Sequence, residues 1–225
     1  MRFRVRRGVA LAALPLLIAA CSSCADAPGS SPSSTSSGAS APTQTPCPPA
    51  SGAPERRTTF AAPPPVCIDR AKTYTAQVTT DVGEVTIALD AANAPISVNN
   101  FVVLARYRYY EGVPFHRVIP GFVIQGGDPL GTGLGGPGYQ IEDEPPVAPY
   151  TTGSVAMAKT AQPNSGGSQF FIVTGPRGES LPRDYSLFGK VTAGMDVVRA
   201  IEADGGADGT PAKTHTMTSV KIVEK

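Results

Sequence analysis

From Tyr74 to Asp90 the chain reads YTAQVTTDVGEVTIALD, with apolar and polar residues alternating on either side of Asp81-Val82-Gly83. Alternation with period two puts one set of side chains on one face of a strand, and a short turn between two such runs predicts a β-hairpin. The period then changes. In APISVNNFVVLARYRYYEG, Val98, Phe101, Val102 and Ala105 recur at helical spacing, Pro95 stands where a first helical residue needs no donor, and Gly112 ends the pattern. This helix is expected to close one end of a sheet with one face. Short strand-like runs follow, FHRVI, GFVIQG, SVAMAK, SQFFIVT and LFGKV, separated by Gly/Pro-rich loops. A second helix, GMDVVRAIE, is predicted from about Gly194 to Glu202, and SVKIVE forms a last strand. Many short strands with two helices and no βαβ rhythm predict a closed antiparallel barrel, which also removes free sheet edges.

The pattern before Lys72 is different. MRFRVRRG carries four arginines and precedes VALAALPLLIAA, an apolar run shorter than the roughly 20 residues a spanning helix needs. Residues 1–20 are therefore expected to be a secretory signal peptide. The run ends in Ile18-Ala19-Ala20-Cys21, which resembles the lipobox of bacterial lipoproteins, so Cys21 is the expected lipidation site and a lipid anchor on the outer face of the cell membrane the expected localisation. Residues 21–71 are rich in Ser, Pro, Ala, Thr and Gly, and Asp26 is the only charged residue between Cys21 and Glu55. Such a segment buries little apolar surface, so it is expected to be a disordered tether with an end-to-end distance on the order of 40 Å. Residues 72–225 form the expected folded domain.

Charge and cysteine content narrow the function. Nineteen Lys and Arg against eighteen Asp and Glu leave a net charge of +1, which argues against a nucleic-acid partner. All four cysteines precede residue 72. Cys47 and Cys67 are spaced to close a loop of about 20 residues in an oxidising compartment, with two free thiols as the alternative. The domain's two histidines, His116 and His215, are far apart and have no cysteine near them, so no metal or other cofactor is expected.

Candidate chemistry concentrates in FHRVIPGFVIQGGD, residues 115–128, which contains no serine or cysteine nucleophile. Just after it, Gly131-Thr132-Gly133-Leu134-Gly135-Gly136 satisfies GxGxxG. That fingerprint holds a pyrophosphate only where the glycines lead from a strand into a helix, and Pro137-Gly138 allows none to start. A surface loop is expected instead.

FHRVIPGFVIQGGD, followed by Met157-Ala158, PNSGGSQFFI at residues 163–172 and LFGKV at 187–191, resembles the cyclophilin family of peptidyl-prolyl cis-trans isomerases. The resemblance covers nearly all of residues 72–225 and implies an eight-stranded antiparallel barrel capped by two helices, with the active site on its outer surface. It also implies action on proline-containing segments, here of unfolded or extracellular proteins, by a monomer. The reaction explains the missing nucleophile. Rotation about an Xaa-Pro bond crosses a barrier of roughly 18–20 kcal/mol because it breaks amide resonance, and no covalent bond is exchanged. A donor aimed at the prolyl nitrogen stabilises the twisted state more than the planar one.

The resemblance assigns that role to Arg117, whose guanidinium is always charged, with Gln125 holding it or meeting a substrate carbonyl. Phe122, Val123, Phe171 and Leu181 match positions lining a seat for the proline ring, and Met157 is read as core. Ala158 and Lys159 match the edge where substrate backbone pairs, and Gln169 a groove position with a side-chain hydrogen bond. His116 is expected to orient neighbours, since amide rotation needs no base. Three departures stand out. Lys159 replaces an asparagine and should alter the groove's charge, no tryptophan precedes Leu181, and Tyr185 stands where relatives have a histidine.

Overall fold

The computed structural model describes residues 44–225. The signal peptide, Cys21, Cys24 and the start of the Ser/Pro-rich segment lie outside the described residues. The hairpin forms as its alternation predicts: β1 (Tyr74–Thr80) pairs antiparallel with β2 (Gly83–Leu89), and Thr80 opposes Gly83 across the Asp81-Val82 turn. Gly83 has φ +144°, and a Cβ there would meet the Val197 side chain, so the turn needs glycine for both conformation and space. Tyr74, Ala76 and Val78 of β1 and Val85, Ile87 and Leu89 of β2 point into the core.

The first helix, α1 (Pro95–Arg106), starts at the predicted proline but ends before Gly112, where Arg108 turns the chain with φ 57°. Short strands follow: β3 (Val113–Pro114), β4 (Arg117–Ile119), β5 (Val123–Gly126), β6 (Ser154–Met157), β7 (Phe170–Val173), β8 (Leu187–Ala193) and β9 (Thr216–Glu224). Between them lie α2 (Pro176–Glu179) and α3 (Met195–Ala203). The fold is mainly antiparallel β, as expected, but among the described residues there are nine strands, in the order β3-β9-β1-β2-β8-β6-β7-β5-β4, and three helices. The extra helix is a single turn, too short to leave an apolar period in the sequence. The predicted strand FHRVI forms only over its last three residues, as β4, while Val113 and Pro114 before it pair with β9. Phe115 and His116 therefore link the two end strands, and the sheet pairing is not continuous around a closed barrel. The Phe115 amide donates to the His215 carbonyl at 2.9 Å, and Val118 donates to Gly209 at 2.9 Å.

The interior is filled by aromatic rings. Phe101 of α1 stacks on Tyr110 at 5.0 Å and meets Phe170 edge-on at 5.5 Å, with Phe188 at 5.3 Å. Burying each such ring is worth about 1.5–3 kcal/mol. Among the described residues no helix is long and apolar enough to cross a membrane, and no group of three His, Cys, Asp or Glu side chains is placed to hold a metal ion.

The expected tether through Ala71 requires correction for residues 44–71, which form a strap against the domain. Cys47 and Cys67 are joined by a disulfide. Phe60 and Ile68 enter the core, and Asn99 on α1 accepts from the Cys67 amide at 2.7 Å while its Nδ2 donates to the Pro65 carbonyl at 2.8 Å. Ala53 donates to the last helical carbonyl, that of Arg106, at 2.7 Å. The strap thus covers one face of the helix, which accounts for the burial of Asn99 there. Composition alone missed this because a cross-link and one phenylalanine offset much of the ordering entropy.

His215 is buried, with Nδ1 2.8 Å from Asp81 and Nε2 2.8 Å from Asp204, so it ties the β1–β2 turn to the end of α3. Burial opposes charge on this ring, but hydrogen bonds to Asp204 and Asp81 outweigh it and raise its pKa above the ordinary histidine value. A group with a raised folded-state pKa stabilises fully below its unfolded value and loses that contribution as pH rises through the folded value. Urea unfolding should therefore show stability declining as pH rises above about 6.5, and His215→Gln should flatten that decline.

Candidate functional site

The four strands β4, β5, β7 and β6 carry two apolar faces. Ile124, Phe170, Ile172, Val155 and Met157 fill the interior, so Met157 is core as the sequence predicts. On the outer face Val123, Ala156, Phe171, Val173 and Tyr150 form a second cluster, with Phe122, Ala158, Leu181 and Tyr185 packed against it. One row of partners crosses this face: Arg117 opposes Gln125, Gln125 opposes Phe171, and Phe171 opposes Ala156. Because alternate residues share a face, this register sets a cation, an amide and an aromatic ring side by side.

Hydrogen bonds hold the polar end of the row. Arg117 Nη1 donates to Gln125 Oε1 at 3.2 Å, and Gln125 Nε2 donates to Gln169 Oε1 at 3.0 Å. Gln169 Nε2 in turn donates to the carbonyls of Gly133 and Gly135, each at 2.9 Å. The guanidinium of Arg117 lies 5.4 Å from the Phe122 ring centre, and that of Arg177 lies 5.7 Å from it. Such cation–π contacts favour a positioned cation over a solvated, wandering one. At the apolar end, Phe171 meets Tyr185 edge-on at 5.4 Å, and the Tyr150 hydroxyl donates to the Tyr185 carbonyl at 2.7 Å.

The glycine-rich stretch closes on a carboxylate belonging to the chain itself. Asp128 is fully buried and accepts from the amides of Leu130 at 2.7 Å, Thr132 at 2.9 Å and Gly133 at 2.6 Å. A Cβ at Gly135 would collide with Asp128 Oδ1, so the loop can wrap the carboxylate only with glycine there. The donors that a phosphate-binding loop would offer are already used, in agreement with the surface-loop expectation.

The family profile described as "Cyclophilin type peptidyl-prolyl cis-trans isomerase/CLD" matches residues 75–222. The chain belongs to the cyclophilin family. It is 43% identical over 138 residues to a Helicobacter pylori peptidyl-prolyl cis-trans isomerase, a match covering 59% of this chain and 82% of the relative. It is 49% identical over 108 residues to Bacillus subtilis peptidyl-prolyl cis-trans isomerase B, covering 47% of this chain and 74% of that one. A crystal structure of a Cryptosporidium parvum cyclophilin superposes with a TM-score of 0.62 at 32% identity, covering 67% of this chain and 98% of the other.

All ten groove residues named from the sequence lie on this outer face of the cyclophilin or at its rim: Arg117, Gln125, Phe122, Val123, Ala158, Lys159, Gln169, Phe171, Leu181 and Tyr185. The expected change in groove charge at Lys159 requires correction, because its ammonium is 2.9 Å from Asp143 and both side chains are largely covered. The cation is compensated within the chain. His116 lies beneath the glycine loop with no hydrogen-bond partner among the described residues, and burial lowers its pKa, which favours the neutral ring. Sequence reasoning missed Tyr150, Asp128 and the wall at residues 133–140. Tyr150 ends a Pro-rich loop without periodicity, whereas the glycines next to Asp128 were a usable signal for an Asx-type turn.

The Asp128 clamp can be tested directly. Burial would raise the Asp128 pKa, but the backbone donors outweigh it and hold it below the usual carboxylate value. Asp128→Ala should lower unfolding free energy by about 2 kcal/mol or more. Amide hydrogen exchange at residues 130, 132 and 133 should become fast in the same variant.

Proposed function

We propose that this cyclophilin rotates Xaa-Pro bonds in exported or cell-surface proteins and so assists their folding, working as a lipid-anchored monomer. The proline ring rests on Phe122, Val123, Phe171 and Leu181, with Tyr185 at the rim. Arg117 directs a hydrogen bond at the prolyl nitrogen, whose lone pair becomes localised as the amide twists. Gln125 holds the guanidinium and keeps it from following the substrate's ground-state carbonyl. The observation that carries this reading is the restrained guanidinium of Arg117, bonded to Gln125 and set over Phe122 beside an apolar cluster. A surface that only bound proline segments would need the apolar cluster and no such donor.

Two features support the export half of the proposal. The Ile18-Ala19-Ala20-Cys21 sequence supplies a lipidation signal, and the Cys47–Cys67 disulfide suits an oxidising compartment. No cofactor enters this mechanism, because the step exchanges no electrons and no atoms.

A coupled assay on a short Ala-Pro peptide tests the chemistry. Arg117→Ala should lower kcat/KM about a hundredfold or more, the scale of losing one positioned transition-state donor. Unchanged activity in that variant would refute the mechanism. Mass spectrometry of the mature protein should find acyl chains on Cys21, and Cys21→Ala should move the protein from the membrane to the soluble fraction.

A further inference from the structure

Beside the proline seat, a cavity of about 280 Å³ opens between the wall at residues 133–140 and the segment carrying Ala158 and Lys159, with Gln125 and Gln169 at its floor. The inner side of the wall is held by Gln169, through the Gly133 and Gly135 carbonyls. Its outer side is held by a residue outside the part of the chain that matches the cyclophilin family. The Phe60 amide donates to the Pro137 carbonyl at 2.8 Å, and the Phe60 carbonyl lies against Gly138, where a Cβ would leave it no room. The Phe60 ring is 2% exposed and meets Tyr139 at 6.3 Å and Tyr107 at 5.1 Å. Arg57 covers the ring with its guanidinium 4.6 Å from the centre.

Tyr139 carries the contact across the groove. Its hydroxyl donates to Asn100 Oδ1 at 2.7 Å, and Asn100 Nδ2 donates to the Gly167 carbonyl at 2.6 Å, on the opposite wall of the cavity. Phe60 is thus the outermost member of a chain of contacts that sets the distance between the two walls. The strap bearing it is closed by the Cys47–Cys67 disulfide and secured by Asn99 and by Tyr107, whose hydroxyl donates to the Pro46 carbonyl at 2.8 Å.

We propose that Phe60 is a positioning residue for the isomerase: the disulfide-closed strap prepares the cavity wall at Pro137–Tyr139 for extended proline-containing chains that reach beyond the prolyl seat. The inference rests on the reading of this face as the substrate groove. A wall ordered before binding spares the substrate the entropic cost of ordering it, so the benefit appears in affinity. Loss of such uniform binding raises KM and leaves kcat in place.

The test uses the full chain and two substrates, a short Ala-Pro peptide and one extended by several residues on both sides, with exchange measured by NMR. Phe60→Ala should raise KM for the extended peptide about fivefold, leave its kcat unchanged, and leave kcat/KM for the short peptide within twofold. Phe60→Leu, which keeps an apolar plug, should recover most of the loss. The paired variant Cys47→Ser with Cys67→Ser should give the same KM pattern, and it carries the prediction if Phe60→Ala fails to fold. An unchanged KM for the extended peptide, or equal losses on both peptides, would overturn the proposal. Arg117→Ala serves as the contrast, because failure of the groove reading would appear there as activity retained on both substrates.

Discussion

The register that sets Arg117 opposite Gln125, and Gln125 opposite Phe171, is the constraint on which the site depends. A strand has a side-chain period of two, so sliding β4 or β7 by one residue would turn Arg117 or Phe171 inward and bring Val118 or Ile172 to the surface. Both faces of these strands are apolar, and that alone would leave the register weakly specified. The polar residues remove the ambiguity. Arg117 and Gln125 can be satisfied only on the outer face, where each finds the other, so the hydrogen-bonded row and the buried side chains of Phe170 and Ile172 select one pairing.

From that row the polar network spreads outward through a single amide at a time. Gln125 joins Arg117 to Gln169, Gln169 joins both to the glycine loop, and the loop is wound around Asp128. Amides suit this task because each offers a donor and an acceptor and so passes on the direction of the bond. A charged relay would have competed with Arg117 for Gln125 and drawn in water. The cation that does intrude, Lys159, is paired with Asp143. The guanidinium of Arg117 is left as the charge set over the Phe122 ring next to the outer apolar cluster, together with the more exposed Arg177.

Much of this was legible before any coordinates. Alternation in Tyr74–Asp90 and the helical spacing after Pro95 placed the hairpin and the first helix, since both signals are local and repeat several times. The long motif around Arg117 identified the family and named the groove residues. Legibility failed where a contact depends on partners distant in sequence. FHRVI is a strand only from Arg117 on, because the Phe115 amide is taken by the distant His215 carbonyl. Tyr150 and Tyr185 meet only because two loops return to one place. Residues 44–71 looked like the rest of a Ser/Pro-rich tether, because one phenylalanine and two cysteines barely alter a composition.

The sequence by itself determined the elements and their chemistry, because hydrophobic period, turn residues and a dense motif act within a few residues of one another. Only the tertiary structure decided that Cys47 and Cys67 join, that Phe60 backs the wall at Pro137–Tyr139, that Asp128 occupies the nest of the glycine loop, and that His215 sits between two aspartates. Each of these depends on distances set by packing between segments far apart in the chain. Pairwise contacts over tens of residues leave no period in a chain, and their energies arise only when burial and desolvation have fixed both partners in place.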